Sequence, residues 1–346
     1  MANQPVSEAP EFWSTCKVLA MEGGGDKGAY EVGALKAFVE LLPSEEIQYD
    51  VVTGISVGAI NAASFALHKK GDEAKCVNWM NELWLNMTSA NIYSNWNFGM
   101  LEGVAFQEGL YNNAVGEKYL SGIFNENFPE KKFYREFEWN TIDFDSAQIV
   151  RFNKNEIWDT VPSKIIASAS MPFAFPHKHI DNKTYVDGGS VWNIDIGAGI
   201  NRCLNLGYKE SSIVVDAILC TGKTVDKRDH KNTYNTLQNY MRMRDVYSYY
   251  NSMSDIDEIR RGYNDINFRH IVIPSGPLPS GYIPLGFKHK DIVAMIEQGY
   301  KEAYETIKNK TVSSFDKVHE IVSDLHNIYD PATTKNFRPM EIKSSA

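Results

Sequence analysis

The stretch YDVVTGISVGAINAASFAL, residues 49–67, changes from strand-forming to helix-forming residues at a single point. Its first part, residues 49–54, has the pattern of a short buried strand, and its last part, residues 56–67, is rich in alanine with apolar residues at helical spacing. Ser56 lies between the two, in the pentapeptide Gly54-Ile55-Ser56-Val57-Gly58. Small neighbours allow a tight strand-to-helix turn from which a serine hydroxyl projects. The pattern predicts either a nucleophilic serine or a structural turn with a capping serine.

A glycine loop precedes this turn. Residues 18–21 predict a buried strand and residues 29–41 a helix, and between them lies the loop Glu22-Gly23-Gly24-Gly25-Asp26-Lys27-Gly28. A dinucleotide-binding turn needs an acidic residue closing the next strand, but that strand ends in Thr53-Gly54. A Walker loop needs Gly-Lys-Ser/Thr, whereas Lys27 is followed by Gly28-Ala29. If the two strands are parallel, the loop lies beside Ser56, which favours an oxyanion hole over a merely structural turn.

A serine nucleophile needs a base to accept its proton. Asp187 ends a predicted strand that begins at Lys183, and it enters Gly188-Gly189, a turn that can aim a carboxylate into a cleft. The alternative interpretation of Asp-Gly-Gly is a structural turn. An α/β-hydrolase would instead use a late histidine, for which His289 has the right place in the order of the chain. His289 is flanked by two lysines, as on a solvated surface, so we favour Asp187.

The glycine loop, the serine pentapeptide and Asp187-Gly188-Gly189, in this order and spacing, resemble the patatin-like phospholipase family. The likeness continues through ASASMPFAFP, residues 167–176, and IEQGY, residues 296–300, and it covers roughly residues 16 to 308. The resemblance implies a three-layer α/β/α fold with a mainly parallel central sheet. It also implies hydrolysis of acyl esters in phospholipids, lysophospholipids or neutral glycerolipids by a Ser-Asp dyad, with neither a catalytic histidine nor a metal or other cofactor.

The resemblance assigns a role to each matching position. Ser56 is the expected nucleophile, Asp187 the expected base, and Gly23, Gly24 and Gly25 the expected oxyanion hole. The positions expected to support these motifs are Lys27, Gly28, Gly54, Gly58, Gly188 and Gly189. Two departures concern the rim of the cleft: Lys27 replaces the more usual arginine, and Asp195 stands where the motif Asn-x-Pro often has proline.

Composition limits the class of protein. The chain has 346 residues, of which 43% are apolar and 23% charged, as in a globular enzyme, and a net charge of -9 argues against a nucleic-acid partner. The sequence suggests no leader peptide and no membrane span. Four cysteines without CxxC spacing predict reduced thiols rather than a disulfide framework or a zinc site. These features predict a cytoplasmic protein. The family resemblance implies a lipid or lysolipid as the substrate and with it transient contact with a membrane surface, and no protein partner is identified.

The chain divides into an expected N-terminal arm (1–15), a catalytic domain (16–309) and a polar C-terminal tail (310–346). Within the domain, residues 76–119 are rich in aromatic side chains, which predict either a lid or acyl-binding wall, or ordinary core packing. The alternative function of a different class is a non-catalytic scaffold or interaction subunit that retains the hydrolase fold, because a fold does not guarantee turnover.

Overall fold

A computed structural model describes residues 15–309 except 226–227, 230–231 and 282. Its strands are β1 (Cys16–Met21), β2 (Val51–Gly54), β3 (Glu136–Asp143), β4 (Gln148–Asn153), β5 (Lys178–Ile180), β6 (Lys183–Asp187), β7 (Ile213–Ile218) and β8 (Asn267–Val272). Its α-helices are α1 (Gly28–Leu41), α2 (Val57–Ala66), α3 (Glu73–Leu85), α4 (Ser89–Ile92), α5 (Met100–Phe106), α6 (Ala114–Asn127), α7 (Val161–Ser168), α8 (Ile196–Asn205), α9 (Thr236–Gly262) and α10 (His289–Lys308).

The strands form one sheet in the order β5-β6-β3-β2-β1-β7-β8, with β4 paired to β3. The run from β3 to β8 is parallel, and the pairs of β3 with β4, β3 with β6, and β5 with β6 are antiparallel. Parallel strands need crossover connections, and α1 and α2 provide such connections in the first part of the chain. The predicted fold class, an α/β protein with a mainly parallel central sheet, is confirmed.

Helices cover both faces of the sheet because β1 is apolar on both of its sides. Val18 and Ala20 pack into a core that includes Met253 of α9, whereas Leu19 and Met21 pack into the core that includes α1, α2 and α10. Successive side chains of a strand point to opposite faces, so these two cores lie on opposite sides of the sheet. The result is the expected three-layer α/β/α arrangement, stabilised mainly by the burial of apolar surface.

Two strands approach the same edge of β3, and this brings distant residues together. Gly54 at the end of β2 is opposite Trp139, while Asp187 at the end of β6 is opposite Thr141. The strand β4 pairs with β3 at both Trp139 and Thr141. A strand has two hydrogen-bonding edges, so β2 and β6 share the edge that β4 leaves free. Because β2 and β6 run in opposite directions, their carboxyl ends meet.

The aromatic stretch 76–119 forms helices α3, α4 and α5 and the start of α6. Trp84 of α3 is buried in the core and also lines the cavity described below, so it fits both core packing and an acyl-binding wall. In contrast, Phe98, Leu101 and Phe106 in and beside α5 are 82%, 82% and 85% exposed. The single stretch therefore contains both a core helix and a surface helix with an apolar face.

The prediction of reduced thiols is wrong for one pair of cysteines. Cys16 of β1 and Cys203 of α8 form a buried disulfide with a Cα–Cα distance of 6.0 Å, whereas Cys76 and Cys220 are free and buried. The bonded pair is separated by 187 residues and meets because α8 packs on the face of β1, which no local spacing reveals. The cytoplasmic location loses this support and stays a prediction.

The predicted tail 310–346 and all of the predicted arm except Thr15 lie outside the described residues. Within the described part of the chain, no helix combines the length and the hydropathy needed to cross a bilayer.

Candidate active site

Ser56 occupies a strained turn between β2 and α2. Its backbone angles are φ 55° and ψ -125°, a conformation that costs a residue other than glycine about 1–3 kcal/mol. The glycines of the pentapeptide make this turn possible, because a Cβ on Gly54 would lie 2.1 Å from the Gly58 carbonyl oxygen, and one on Gly58 would lie 2.4 Å from the Met21 carbonyl oxygen. The spacing of Gly54 and Gly58 is therefore required by close backbone approach on both sides of the serine.

The backbone of Ser56 is held from the side by α7. The Ser56 N–H donates a hydrogen bond of 2.9 Å to the hydroxyl of Ser168, which is fully buried. Ser168 belongs to the stretch 167–176 that carries part of the family resemblance. Since Ser56 immediately precedes α2, the positive end of that helix dipole faces the serine and favours negative charge there.

The structure brings Ser56 and Asp187 into direct contact. The Ser56 hydroxyl donates to Asp187 Oδ2 at 2.8 Å, and the Gly189 N–H donates to the other carboxylate oxygen at 2.7 Å. Both side chains are largely shielded from solvent, with Ser56 9% and Asp187 5% exposed. Gly188 has no room for a side chain, since a Cβ there would lie 1.9 Å from Asn140 Oδ1. The turn after β6 thus aims the carboxylate at the serine.

Burial raises the pKa of Asp187 from 3.8 to about 6. The hydrogen bonds from Ser56 and Gly189 and the positive charge of Arg244 act in the opposite direction, because they favour the charged carboxylate. A carboxylate with this pKa is ionised near neutral pH yet basic enough to accept a proton, as a general base requires.

The glycine loop lies against the serine turn, but its amides are not equivalent. The Gly23 N–H donates to the Asn193 carbonyl at 3.0 Å, which leaves it unable to serve an oxyanion in this arrangement. The Gly24 and Gly25 N–H groups donate no hydrogen bond to any described residue. Gly25 has φ 63°, and a Cβ on Gly23 would lie 3.1 Å from the Cβ of Ser56. Of the predicted oxyanion donors, Gly24 and Gly25 thus have amides available.

The remaining motif positions have structural roles around this loop. Gly28 begins α1, and a Cβ there would lie 2.5 Å from Val57 Cγ2 and 2.8 Å from Trp84 Cζ2. Its carbonyl accepts a hydrogen bond of 3.1 Å from the Asn61 amide of α2. Lys27 is half-buried and lines the cavity described below. Gly28 therefore lets α1 and α2 approach closely behind the loop.

Glu22, which sequence reasoning did not single out, organises the loop. It is fully buried, and its carboxylate accepts hydrogen bonds from the Asn193 amide, the N–H groups of Cys220 and Thr221, and the hydroxyls of Thr221 and Ser252 at distances of 2.5–3.0 Å. These contacts connect β1, the segment after Asp187, the end of β7 and α9. The only signal in the sequence was its place directly before three glycines.

The other sequence candidates lie elsewhere. His289 at the start of α10 donates from Nδ1 to the Leu85 carbonyl at 2.9 Å, and it does not line the cavity that contains Ser56. Asp195, one of the departures from the family pattern, caps α8 by accepting from the Ala198 N–H at 2.9 Å and pairs with Arg151 at 2.8 Å. Asp195 therefore replaces the expected proline as a structural residue.

Ser56 and Asp187 lie at the wall of a cavity of about 600 Å³. Much of its lining is apolar and comes from α3, α6 and the segment after α7, and includes Met80, Trp84, Leu120, Ile123, Phe124 and Phe175. Its charged lining residues, apart from Asp187, are Lys27, Arg242, Arg244 and Asp245. The cavity thus combines space for a long apolar group with positive charge.

The strand-to-helix turn that carries Ser56 has the form of a nucleophile elbow, the turn typical of a class of serine hydrolases. The comparison of sequences identifies the family within this class. The sequence profile of the patatin-like phospholipase family matches residues 19–199, and the chain belongs to this family.

One curated protein and several solved structures also match parts of the chain. A cUMP-AMP-activated phospholipase from Escherichia coli is 44% identical over 59 residues, which are 17% of this chain and only 18% of that protein. The crystal structure of VipD from Legionella pneumophila aligns with a TM-score of 0.44 and 12% identity over 86% of this chain and 67% of that one. The structure of the heterodimeric ExoU–SpcU complex from the Pseudomonas aeruginosa type III secretion system aligns with a TM-score of 0.34 and 14% identity. The alignment covers 92% of this chain and 61% of that one.

Proposed function

We propose that this chain is a serine-dependent lipid acyl hydrolase, a carboxylic ester hydrolase in which Ser56 and Asp187 form the catalytic dyad. The observation that carries the proposal is the 2.8 Å hydrogen bond between Ser56 Oγ and Asp187 Oδ2 at the wall of the cavity. Membership of the patatin-like phospholipase family supports the lipid substrate class. Phospholipids, lysophospholipids and neutral glycerolipids are the candidate substrates.

In the first half of the reaction, Ser56 Oγ attacks the ester carbonyl carbon while its proton passes to Asp187. Negative charge then develops on the carbonyl oxygen, and the N–H groups of Gly24 and Gly25, with the N-terminus of α2, are the donors proposed to stabilise it. Collapse of the tetrahedral intermediate breaks the bond to the alcohol portion. Asp187 returns the proton to the departing oxygen, which leaves an acyl-Ser56 ester.

In the second half, Asp187 accepts a proton from a water molecule that attacks the acyl carbon. The second tetrahedral intermediate collapses with release of Ser56 Oγ, which regains a proton from Asp187, and the fatty acid leaves. One carboxylate thus serves both halves of the reaction. Its pKa of about 6 supports this role, because the group exchanges a proton readily near neutral pH.

The apolar lining of the cavity supports an acyl chain as the bound group. The side chains of Met80, Leu120 and Phe124 form an apolar part of the wall that offers no hydrogen-bonding group. Such a wall favours binding of a hydrocarbon chain, because binding removes the chain from water. The exposed apolar side chains Phe98 and Leu101 agree with the predicted transient contact with a membrane surface. That contact and the cytoplasmic location stay predictions.

The direct test compares the wild-type protein with Ser56→Ala in hydrolysis of p-nitrophenyl acyl esters and of a lipid panel, and in labelling by a fluorophosphonate probe. We expect hydrolysis to fall by at least about 10³-fold and labelling to disappear in Ser56→Ala, because the alanine has no nucleophile. Ser44→Ala, at an exposed position away from the cavity, is the matched control and should behave like wild type.

Equal rates for wild type and Ser56→Ala would contradict the proposal. A wild-type protein that neither reacts with the probe nor turns over any lipid, yet copurifies stoichiometrically with a large assembly, would favour the scaffold alternative. Loss of activity in His289→Ala but not in Asp187→Ala would favour an α/β-hydrolase mechanism.

A further inference from the structure

Two arginines of α9, Arg242 and Arg244, line the cavity and have no carboxylate partner in the described part of the chain. Both are half-buried. Among the described residues, neither lies within 4.0 Å of an acidic oxygen, and the polar contact of Arg244 is with the sulfur of Met171. A thioether sulfur is a weak acceptor and satisfies little of the capacity of a guanidinium, which has five donors in a planar fork. The two side chains therefore bring unneutralised positive charge to the cavity.

This arrangement contrasts with other arginines of the protein. Acidic residues exceed basic ones, 44 against 35, so carboxylate partners are plentiful. The ion pairs that tie arginines into the fold include Arg135 with Glu73, Arg151 with Asp195, Arg202 with Glu136, and Arg269 with Asp216. Among the described residues, Arg242 and Arg244 have no such partner although both line the cavity that contains the dyad, so a ligand can supply the negative charge.

The position of Arg244 relates this charge to the reaction. Arg244 is close enough to Asp187 to favour its ionised form, and Met171, which it contacts, lies in the segment that follows α7 and contributes to the cavity wall. The apolar residues described above line the same cavity as Arg244. An anionic group bound at Arg244 would thus lie in the same cavity as the reacting ester, while the acyl chain occupies the apolar part of the lining.

We propose that Arg244, assisted by Arg242, binds the phosphoryl group of the lipid and makes the enzyme select phosphoester lipids over neutral acylglycerols. The proposal rests on the proposed function and specifies its substrate class. A guanidinium matches the geometry of a phosphate through two parallel N–H···O hydrogen bonds.

The test measures kcat/KM for diacylphosphatidylglycerol and for diacylglycerol with identical acyl chains, each diluted in mixed micelles of a nonionic detergent at pH 8. Asp187 is ionised at this pH, so loss of the nearby Arg244 charge affects the dyad equally for both substrates. We expect wild type to prefer the phospholipid, and Arg244→Gln to lower the ratio of the two kcat/KM values about 10-fold to 100-fold. Arg244→Lys should retain part of the preference.

Lys301→Gln is the matched control, because it removes one positive charge from an exposed position of α10 outside the cavity. Its substrate ratio should equal that of wild type. Thermal melting of each variant shows whether it is folded, and Arg242→Gln provides a second variant at the same site if Arg244→Gln does not fold. A ratio unchanged in Arg244→Gln and Arg242→Gln would overturn the proposal while leaving the hydrolase function intact.

A second measurement separates a lipid phosphate from a free one. Hexadecyl phosphate, which has no ester for Ser56 to attack at an acyl carbon, should inhibit hydrolysis of p-nitrophenyl esters, and Arg244→Gln should weaken that inhibition about ten-fold. Inorganic phosphate should inhibit far less, because it does not fill the apolar lining. Equal inhibition by the two compounds would show a site for free phosphate and overturn the proposal. Failure of wild type to hydrolyse either lipid or ester would overturn the proposed function together with it.

Discussion

Two buried carboxylates lie near the carboxyl end of the central sheet, and they have opposite surroundings. Asp187 accepts hydrogen bonds from Ser56 and Gly189, and burial raises its pKa to about 6. Glu22 is surrounded by two backbone N–H groups, two hydroxyls and one side-chain amide. Burial alone therefore does not distinguish the carboxylate proposed to be catalytic from a structural one.

The difference lies in what the hydrogen bonds leave available. The five hydrogen bonds to Glu22 come from groups that hold neighbouring segments in place, and none comes from a group with a part in the proposed reaction. On Asp187, one of the two donors is the hydroxyl whose proton would be transferred in the reaction. Asp187 is thus suited to exchange protons, whereas Glu22 is suited to position the glycine loop that faces Ser56.

The largest effect is expected from Asp187→Asn, which keeps the shape of the side chain and removes its ability to act as a base. We expect kcat/KM for acyl-ester hydrolysis to fall by about 10³-fold or more, with the fold retained. Steady-state hydrolysis of p-nitrophenyl esters measures the change. Asp181→Asn, at an exposed position before β6, makes the same chemical change and should leave the rate unaltered. Activity of Asp187→Asn within ten-fold of wild type would assign the base to another residue.

Glu22→Gln tests the other side of the comparison. The amide of glutamine has an NH₂ group where the carboxylate has an oxygen, so this NH₂ faces groups that are themselves hydrogen-bond donors. At least two hydrogen bonds are therefore lost, each of about 1.5–3 kcal/mol. We expect the free energy of unfolding to fall by about 3 kcal/mol and kcat to fall about ten-fold, because the glycine loop is less firmly held. Denaturant unfolding and ester hydrolysis provide the two measurements.

The matched control for Glu22→Gln is Glu297→Gln on the exposed side of α10. It should change neither stability nor rate, since surface substitutions have small effects. A loss of activity in Glu22→Gln as large as in Asp187→Asn, with unchanged stability, would show that Glu22 takes part in the chemistry and would remove the distinction between the two carboxylates.

The comparison also explains which parts of the site the sequence predicts. Ser56 and its flanking glycines form a local motif, since the same five residues make the turn and satisfy its steric demands. The strands and helices around the turn follow from local apolar patterns. Asp187 was predictable from its strand and the following glycines, although its contact with Ser56 depends on β2 and β6 meeting at one edge of β3.

Residues whose roles depend on long-range contacts were not predictable in this way. Glu22 receives hydrogen bonds from segments 171 to 230 residues away, and the Cys16–Cys203 disulfide joins residues 187 apart. The glycine loop predicts the Gly23 N–H as an oxyanion donor, but this N–H donates its hydrogen bond to the Asn193 carbonyl. That contact depends on the path of the chain after Asp187. No single-sequence pattern contains these distances.

The smallest effect expected is a change in how stability depends on pH. The pKa of Asp187 is raised in the folded protein to about 6 from an ordinary value of 3.8, so the folded state binds more protons than the unfolded state between these pH values. The contribution of Asp187 to stability is therefore fully present below about pH 4 and is lost as pH rises through about 6. At neutral pH the ionised carboxylate destabilises the fold by up to about 3 kcal/mol, since one pKa unit corresponds to about 1.4 kcal/mol.

Asp187→Asn removes this titration and should be the more stable protein at pH 7.5, by about 2 kcal/mol, with the difference shrinking toward zero or changing sign near pH 4. Denaturant unfolding of both proteins across this range measures the difference. The contributions of other acids with raised pKa values, such as Asp255 and Glu31, are the same in both proteins and cancel. A stabilisation that does not depend on pH would mean that Asp187 titrates normally in the fold. The predicted pattern, in which one substitution abolishes activity and increases stability, is that of a residue retained for function at the expense of the fold.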